Sequence, residues 1–146
     1  MDKITIDGII LTPLKNIPCP NGNVLHAVKK SDAGFHAFGE AYFSTIAFNA
    51  IKAWKKHKQM TLNIIVPVGK IKFVMYDDRQ HSRTKGNFYE VILSLENYQR
   101  LTIPSNIWMG FKGLGRDINM LLNVADFEHD PSEAEVLEID KIDYRW

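Results

Sequence analysis

Residues 61–78 read TLNIIVPVGKIKFVMYDD, and the change of pattern inside this stretch decides the fold class. The first half, TLNIIVPV, is a near-continuous apolar run, as in a strand buried on both faces. Gly69 interrupts it. Beyond the glycine the chain alternates: Ile71, Phe73 and Met75 face one way, and Lys70, Lys72 and Val74 the other. A period of two belongs to a strand, because successive side chains leave opposite faces of the pleat.

The flanking segments repeat this signal. FGEAYFSTIAF (38–48), NFYEVILS (87–94), QRLTIP (99–104), IWMGFKGLG (107–115) and INMLLNVA (118–125) are apolar, β-branched or aromatic runs set between turn residues. Residues 38–125 thus read as about seven short strands, with turn signals roughly every 8–12 residues, the spacing of a sandwich or barrel. No segment sustains a helical period. Before residue 38 the chain is less regular: KITIDGIILTPL supplies one or two edge strands, and NIPCPNG is a turn-rich connection. No repeat or linker divides the chain, so residues 1–146 are read as a single all-β domain.

Composition limits the function classes. Hydrophobic residues make up 45% and charged residues 24%, an ordinary soluble composition. The net charge of +1 argues against broad binding to nucleic acid, which needs a clearly basic surface. No apolar run approaches the ~18–20 residues of a membrane helix, and the N-terminus lacks the marks of a signal peptide. The single cysteine, Cys19, cannot form an internal disulfide, which fits a reducing cytoplasm, and it is read as a small buried hydrophobe. Residues 126–143 hold eight of the 17 carboxylates and one lysine or arginine, Lys141. Residues 126–146 are read as an acidic segment strapped over the barrel, with the alternative that one acid, Asp140, reaches into a site.

Few standard sites survive inspection. There is no phosphate-binding glycine loop opening a helix, and GFKGLG reads as turn glycines. The five histidines are scattered without metal-ligand spacing, so no metal or cofactor is expected. The most charged stretch is IKAWKKHKQM (51–60), with four lysines between positions 52 and 58. It is read as the end of a strand and a corner. Extended geometry places Lys52, Trp54, Lys56 and Lys58 on one face and Ala53, Lys55 and His57 on the other. A cation facing into a barrel mouth is costly unless it meets an anion, which points to an anionic ligand; the alternative is that the lysines snorkel along the rim into water.

The segments FGEAYFS, IKAW with His57 three residues on, PVGKIKFVMYDDR, IPSNIWMGFKGLG, LLNV and the terminal IDYRW follow one another in an order that resembles the cupin-type dTDP-4-dehydrorhamnose 3,5-epimerase family. The resemblance covers roughly residues 8–146. It implies a cupin jelly-roll β-barrel with few short helices. It also implies a homodimer with N-terminal strands crossing between subunits, and a nucleotide-sugar ligand from surface-polysaccharide synthesis. The chemistry it implies is metal-free: a histidine paired with an aspartate removes a proton α to a ketone, a tyrosine serves the opposite face, and a lysine and a second histidine hold the enolate oxygen.

Carried over residue by residue, the match is mixed. Family segments of the type RGLH or KGWH read KAWK here, so Lys55 stands at the base position and His57 matches a second histidine of some branches. AHGF or WHGF reads WMGF, which puts Met109 at the other histidine. The tyrosine falls at about Leu122, the oxyanion lysine at about Leu62, and Asp140 is the match for the paired aspartate. The expected catalytic set is therefore Lys55, His57 and Asp140. Glu40, Tyr42, Lys52, Trp54, Asn106, Trp108, Asn119 and Asn123 are expected to line the ligand site, although Trp54 also fits a core aromatic and Asn123 an internal hydrogen-bond network. Two functions remain open. One is an epimerase or isomerase of a 4-keto-6-deoxy sugar nucleotide with altered acid–base residues. The other is a noncatalytic cupin that binds a nucleotide sugar or supports a partner enzyme. A cupin with an unrelated ligand is a third and weaker reading.

Overall fold

The computed structural model describes residues 3–146. Twelve strands follow in order: β1 Ile10–Pro13, β2 Asn16–Ile17, β3 Val24–Leu25, β4 Glu40–Ile46, β5 Ile51–His57, β6 Leu62–Val68, β7 Lys70–Tyr76, β8 Phe88–Ser94, β9 Gln99–Ile103, β10 Trp108–Gly113, β11 Asn119–Ala125 and β12 Ala134–Val136. Two single-turn 3-10 helices, Pro131–Glu133 and Ile139–Lys141, flank β12. The strands form two five-stranded antiparallel sheets, ordered β1-β9-β6-β11-β4 and β12-β5-β10-β7-β8, with β2 and β3 paired as a separate hairpin.

The stretch 61–78 explains why the sheets face each other. Gly69 adopts φ +81 at a hairpin that sends β6 into the first sheet and β7 into the second. An added Cβ there would lie 2.4 Å from the carbonyl oxygen of Ile118, so the position needs glycine twice over. The inward residues Ile71, Phe73 and Met75 of β7 meet Leu62, Ile64 and Val66 of β6 in the main core. Val74 leaves the outer face of β7 and is also fully buried, because the C-terminal segment folds over it with Trp54, Trp108 and Ile142. This outer cluster is aromatic: Trp54 packs on Trp146 (centroids 5.3 Å apart) and edge-on to Tyr144 (6.2 Å).

The apolar run of β6 is buried on both sides, but its outer side meets a polar network. Asn63, Arg100 and Thr102 lie there under the loop 26–34. Arg100 is completely enclosed and places its five N–H groups on Asn63 Oδ1, Ala27 O, Asp32 Oδ2, Thr12 Oγ1 and Ala33 O, at 3.0–3.3 Å. Gly34 passes so close that an added Cβ would lie 2.8 Å from Thr102 Oγ1.

Two local expectations are corrected. Residues 51–57 form a full strand rather than a strand end and corner. Cys19 is exposed, because it sits in the turn of the β2–β3 hairpin, where no second layer covers it.

Candidate functional site

The two sheets part at one end to leave a cavity of about 420 Å³. That lies within the ~300–1,000 Å³ usual for small-molecule sites. One wall comes from β5, β10 and β12, and the facing wall from β4, β6 and β11. The cavity is mostly apolar, and among the described residues no carboxylate lines it directly.

The polar chemistry concentrates on β5. Its pairing with β10 shifts register between Met109 and Phe111: Met109 opposes Lys55, and Phe111 opposes Lys52. Ala53 and Trp54 of β5 thus stand opposite the single Gly110 of β10, and the simple alternation of faces fails. Lys52, Lys55 and His57 all line the cavity as a result. Lys56 turns outward, over the Trp108 ring (4.8 Å) and between Asp78 (3.6 Å) and Glu135 (3.3 Å). The simple two-face division of this strand is corrected by that bulge. Lys52 Nζ donates to Thr45 O at 2.8 Å and lies 5.8 Å from the Phe111 ring centroid. The Lys55 ammonium has no hydrogen-bond or ion-pair partner among the described residues.

His57 is held from behind. Its Nδ1 lies 2.7 Å from Glu133 Oε1, and the other carboxylate oxygen accepts from the backbone N–H of Gln59 (2.9 Å) and of Met60 (3.0 Å). Glu133 is buried. Burial alone would raise its carboxyl, but the hydrogen bonds from Gln59, His57 and Met60 overcome that effect and hold it down to about 2. An ionised carboxylate only accepts, so Nδ1 carries the hydrogen of this bond. The ring nitrogen left over, Nε2, has no protein partner among the described residues, and the ring lines the cavity. This is a carboxylate–histidine pair with its basic nitrogen free.

The partner acid is Glu133 rather than Asp140, which is exposed in the second 3-10 turn and lies outside the cavity. The acidic run 126–143 flagged the segment but not the residue; β12 pairing with β5 (Ala134 with His57) brings Glu133 to it. Tyr42 and Asn123 line the facing wall. Asn123 Oδ1 accepts from Asn63 N–H (3.2 Å), and its Nδ2 donates to Tyr42 Oη (3.1 Å).

The other expected site residues are used elsewhere. Trp54 forms part of the wall, but it is buried and donates Nε1–H to Ile139 O (3.1 Å), so its ring is core. Trp108 faces outward and donates to Asp78 Oδ2 (2.8 Å). Asn119 is fully buried and closes the turn before β11, accepting from Lys70 and Gly115 N–H and donating to Ile46 O. Asn106 occupies a turn at φ +66 and donates its backbone N–H to His57 O. Glu40 accepts from the backbone N–H of His129. Of the positions where the resemblance places proton carriers, Met109 and Leu62 face the cavity, whereas Leu122 does not; its neighbour Leu121 does. Among the described residues no three His, Cys, Asp or Glu side chains converge to hold a metal, and no helix is long and apolar enough to cross a membrane.

Two antiparallel sheets enclosing a mostly apolar cavity, with its charged groups on one strand, make a cupin jelly roll, and comparison with known proteins is specific about which kind. Residues 48–146 match the sequence model described as dTDP-4-dehydrorhamnose 3,5-epimerase. The probable low-salt glycan biosynthesis epimerase Agl13 of Haloferax volcanii is 31% identical over 101 residues, 66% of this chain and 64% of Agl13. The chain therefore spans just under two thirds of that relative's length. The spore coat polysaccharide biosynthesis protein SpsL of Bacillus subtilis is 24% identical over 97% of this chain and 96% of its own. The crystal structure of a dTDP sugar isomerase from Desulfovibrio desulfuricans G20 superposes with a TM-score of 0.95 at 36% identity, covering 100% of this chain and 95% of that one. The chain belongs to the dTDP-4-dehydrorhamnose 3,5-epimerase family of sugar-nucleotide epimerase-like proteins.

Proposed function

We propose that the protein acts on a nucleotide-linked 4-keto-6-deoxy sugar in surface-polysaccharide biosynthesis, as an epimerase or isomerase that moves a proton α to the ketone. The observation that carries this reading is the pair of unpartnered groups on β5: the free Nε2 of a carboxylate-held histidine and the ammonium of Lys55, both in one cavity. A C–H beside a ketone is acidified by the carbonyl, so the site needs a base and a cation for the enolate oxygen. His57 Nε2 supplies the first and Lys55 Nζ the second. Lys52 adds a second cation for the diphosphate or the sugar.

A noncatalytic reading keeps one observation in its favour: Met109 and Leu62 face the cavity where the family resemblance places a histidine and a lysine. Proton NMR in D₂O with dTDP-4-keto-6-deoxyglucose separates the two. The expected result is loss of the C3 or C5 proton signal above the protein-free control, abolished in Lys55→Ala and His57→Ala. Broadened ligand lines without exchange would instead establish a binding protein.

The proposed assembly is a homodimer in the cytoplasm. Among the described residues the hairpin β2–β3 forms a sheet of its own and exposes Ile17 and Val24, and the edge strand β4 exposes Phe43 (65%) beside Phe38 (67%). Large apolar groups gathered along an unpaired sheet edge call for a second chain. Light scattering is expected to report twice the chain mass, and Phe43→Lys to shift it toward the monomer; a monomeric wild type would remove the assembly.

A further inference from the structure

The cavity walls differ in chemistry. β5 contributes Lys52, Lys55 and His57, while the facing sheet contributes Leu62, Ile64 and Leu121 with one ionisable group, the phenol of Tyr42. A base on one wall removes a proton from one face of a planar enolate. Returning it with inversion needs a second carrier on the other wall. Leucine stands at the position where the resemblance places the family's tyrosine, and its side chain does not reach the cavity. Tyr42 does reach it, from the neighbouring strand: it is the cross-strand partner of Asn123 in the β4–β11 ladder.

The direction of its hydrogen bond matters most. Asn63 N–H donates to Asn123 Oδ1, which fixes the amide so that Nδ2 points at Tyr42 and donates. The phenol oxygen is the acceptor in that bond. Its own hydrogen is not consumed there, and Oη has no other partner among the described residues. Asn123 is 2% exposed, so the orientation is set by packed groups rather than by solvent.

We propose that Tyr42 is the second proton carrier of this site, facing His57 across the cavity. The inference rests on the reading of the cavity as a keto-sugar site. His57 Nε2 takes the proton α to the ketone, and the C–H electron pair becomes the C=C bond while the carbonyl oxygen gains the negative charge beside Lys55. When the carbonyl re-forms, the carbon takes the phenol proton from the opposite face, leaving tyrosinate on one wall and imidazolium on the other. Loss of a proton from His57 to solvent and gain of one by Tyr42 restore both. No atom is gained or lost, and the carbon is inverted.

The test follows exchange and inversion separately in D₂O with dTDP-4-keto-6-deoxyglucose. Tyr42→Phe keeps the ring and its packing. It is expected to retain deuterium exchange at the wild-type rate within about threefold, while the inverted product falls ~10²-fold or more, the usual cost of losing a positioned proton donor. Asn123→Asp puts an acceptor where Nδ2 donated, drawing the phenol proton away from the cavity. It is expected to depress inversion similarly. Inversion at the wild-type rate in either variant would overturn the role of Tyr42 while leaving the keto-sugar reading standing. A wild-type protein that neither exchanges nor inverts this substrate would overturn that reading, and the Tyr42 role with it.

Discussion

Replacing Arg100 with alanine is expected to lower the melting temperature by roughly 10–15 °C, from a loss of about 3–5 kcal/mol. Arg100 is wholly enclosed, and all five of its N–H groups are accepted. Its removal leaves the carbonyls of Ala27 and Ala33 facing a void, and Asn63 Oδ1 keeps only the Thr102 hydroxyl. Asp32 loses its ion pair, although it is partly exposed and water takes up some of that loss. Without Arg100 the loop 26–34 is left with Asn63 Nδ2 on Gly34 O (3.0 Å) and Tyr98 Oη on His26 O (2.7 Å) as its side-chain anchors. Arg100→Lys keeps the charge but not the planar fork, so it is expected to recover only part of the loss. A thermal melt of the two variants decides the point: a shift under about 3 °C for Arg100→Ala would mean that the network contributes little beyond filling space.

The second large effect is expected at Glu133. Its carboxylate receives three donors, and glutamine cannot reproduce that pattern. If the amide oxygen serves Gln59 and Met60, the amide NH₂ faces His57 Nδ1 and forces it to accept. The ring hydrogen then moves to Nε2, and the base is lost. Glu133→Gln is therefore expected to slow proton exchange on a keto-sugar substrate by ~10²–10⁴-fold. The ring tautomer of His57, read by nitrogen NMR, should change with it; an unchanged tautomer would contradict this account. The same group makes stability depend on pH. Its folded carboxyl lies at about 2, below the ordinary value of 4.5. A depressed acid stabilises the fold fully above the unfolded value and loses that contribution as pH falls from 4.5 toward 2. Melting temperature should drop through this window in the wild type and less steeply in Glu133→Gln.

Some of this molecule was legible in one dimension. The alternation of Ile71, Phe73 and Met75 depends only on the pleat, so it named the strand and its core face, and all three are fully buried. The turn glycine at 69 and the apolar runs at 61–68, 87–94, 99–104 and 118–125 mark strands for the same local reason. The order of the motifs was enough to identify the family. Residues 51–57 were harder, because charge masks the pattern: a strand with three lysines and a histidine looks like a corner until β10 and β12 pair with its two edges.

What the sequence by itself determined is therefore the fold class, the family and the β5 segment that bears charge. Each follows from interactions between near neighbours or from the order of motifs along the chain. Only the tertiary structure decided which of those charges meet. The β5–β10 bulge turns Lys52, Lys55 and His57 to one side, against the simple period of two. Pairing of β12 with β5 selects Glu133 from eight carboxylates. Burial assigns Trp54, Trp108 and Asn119 to structural bonds that their residue types alone left open. A carboxylate 76 residues from its histidine leaves no periodic trace, because long-range pairing is set by which sheet edges close on each other and not by the spacing of residues along the chain.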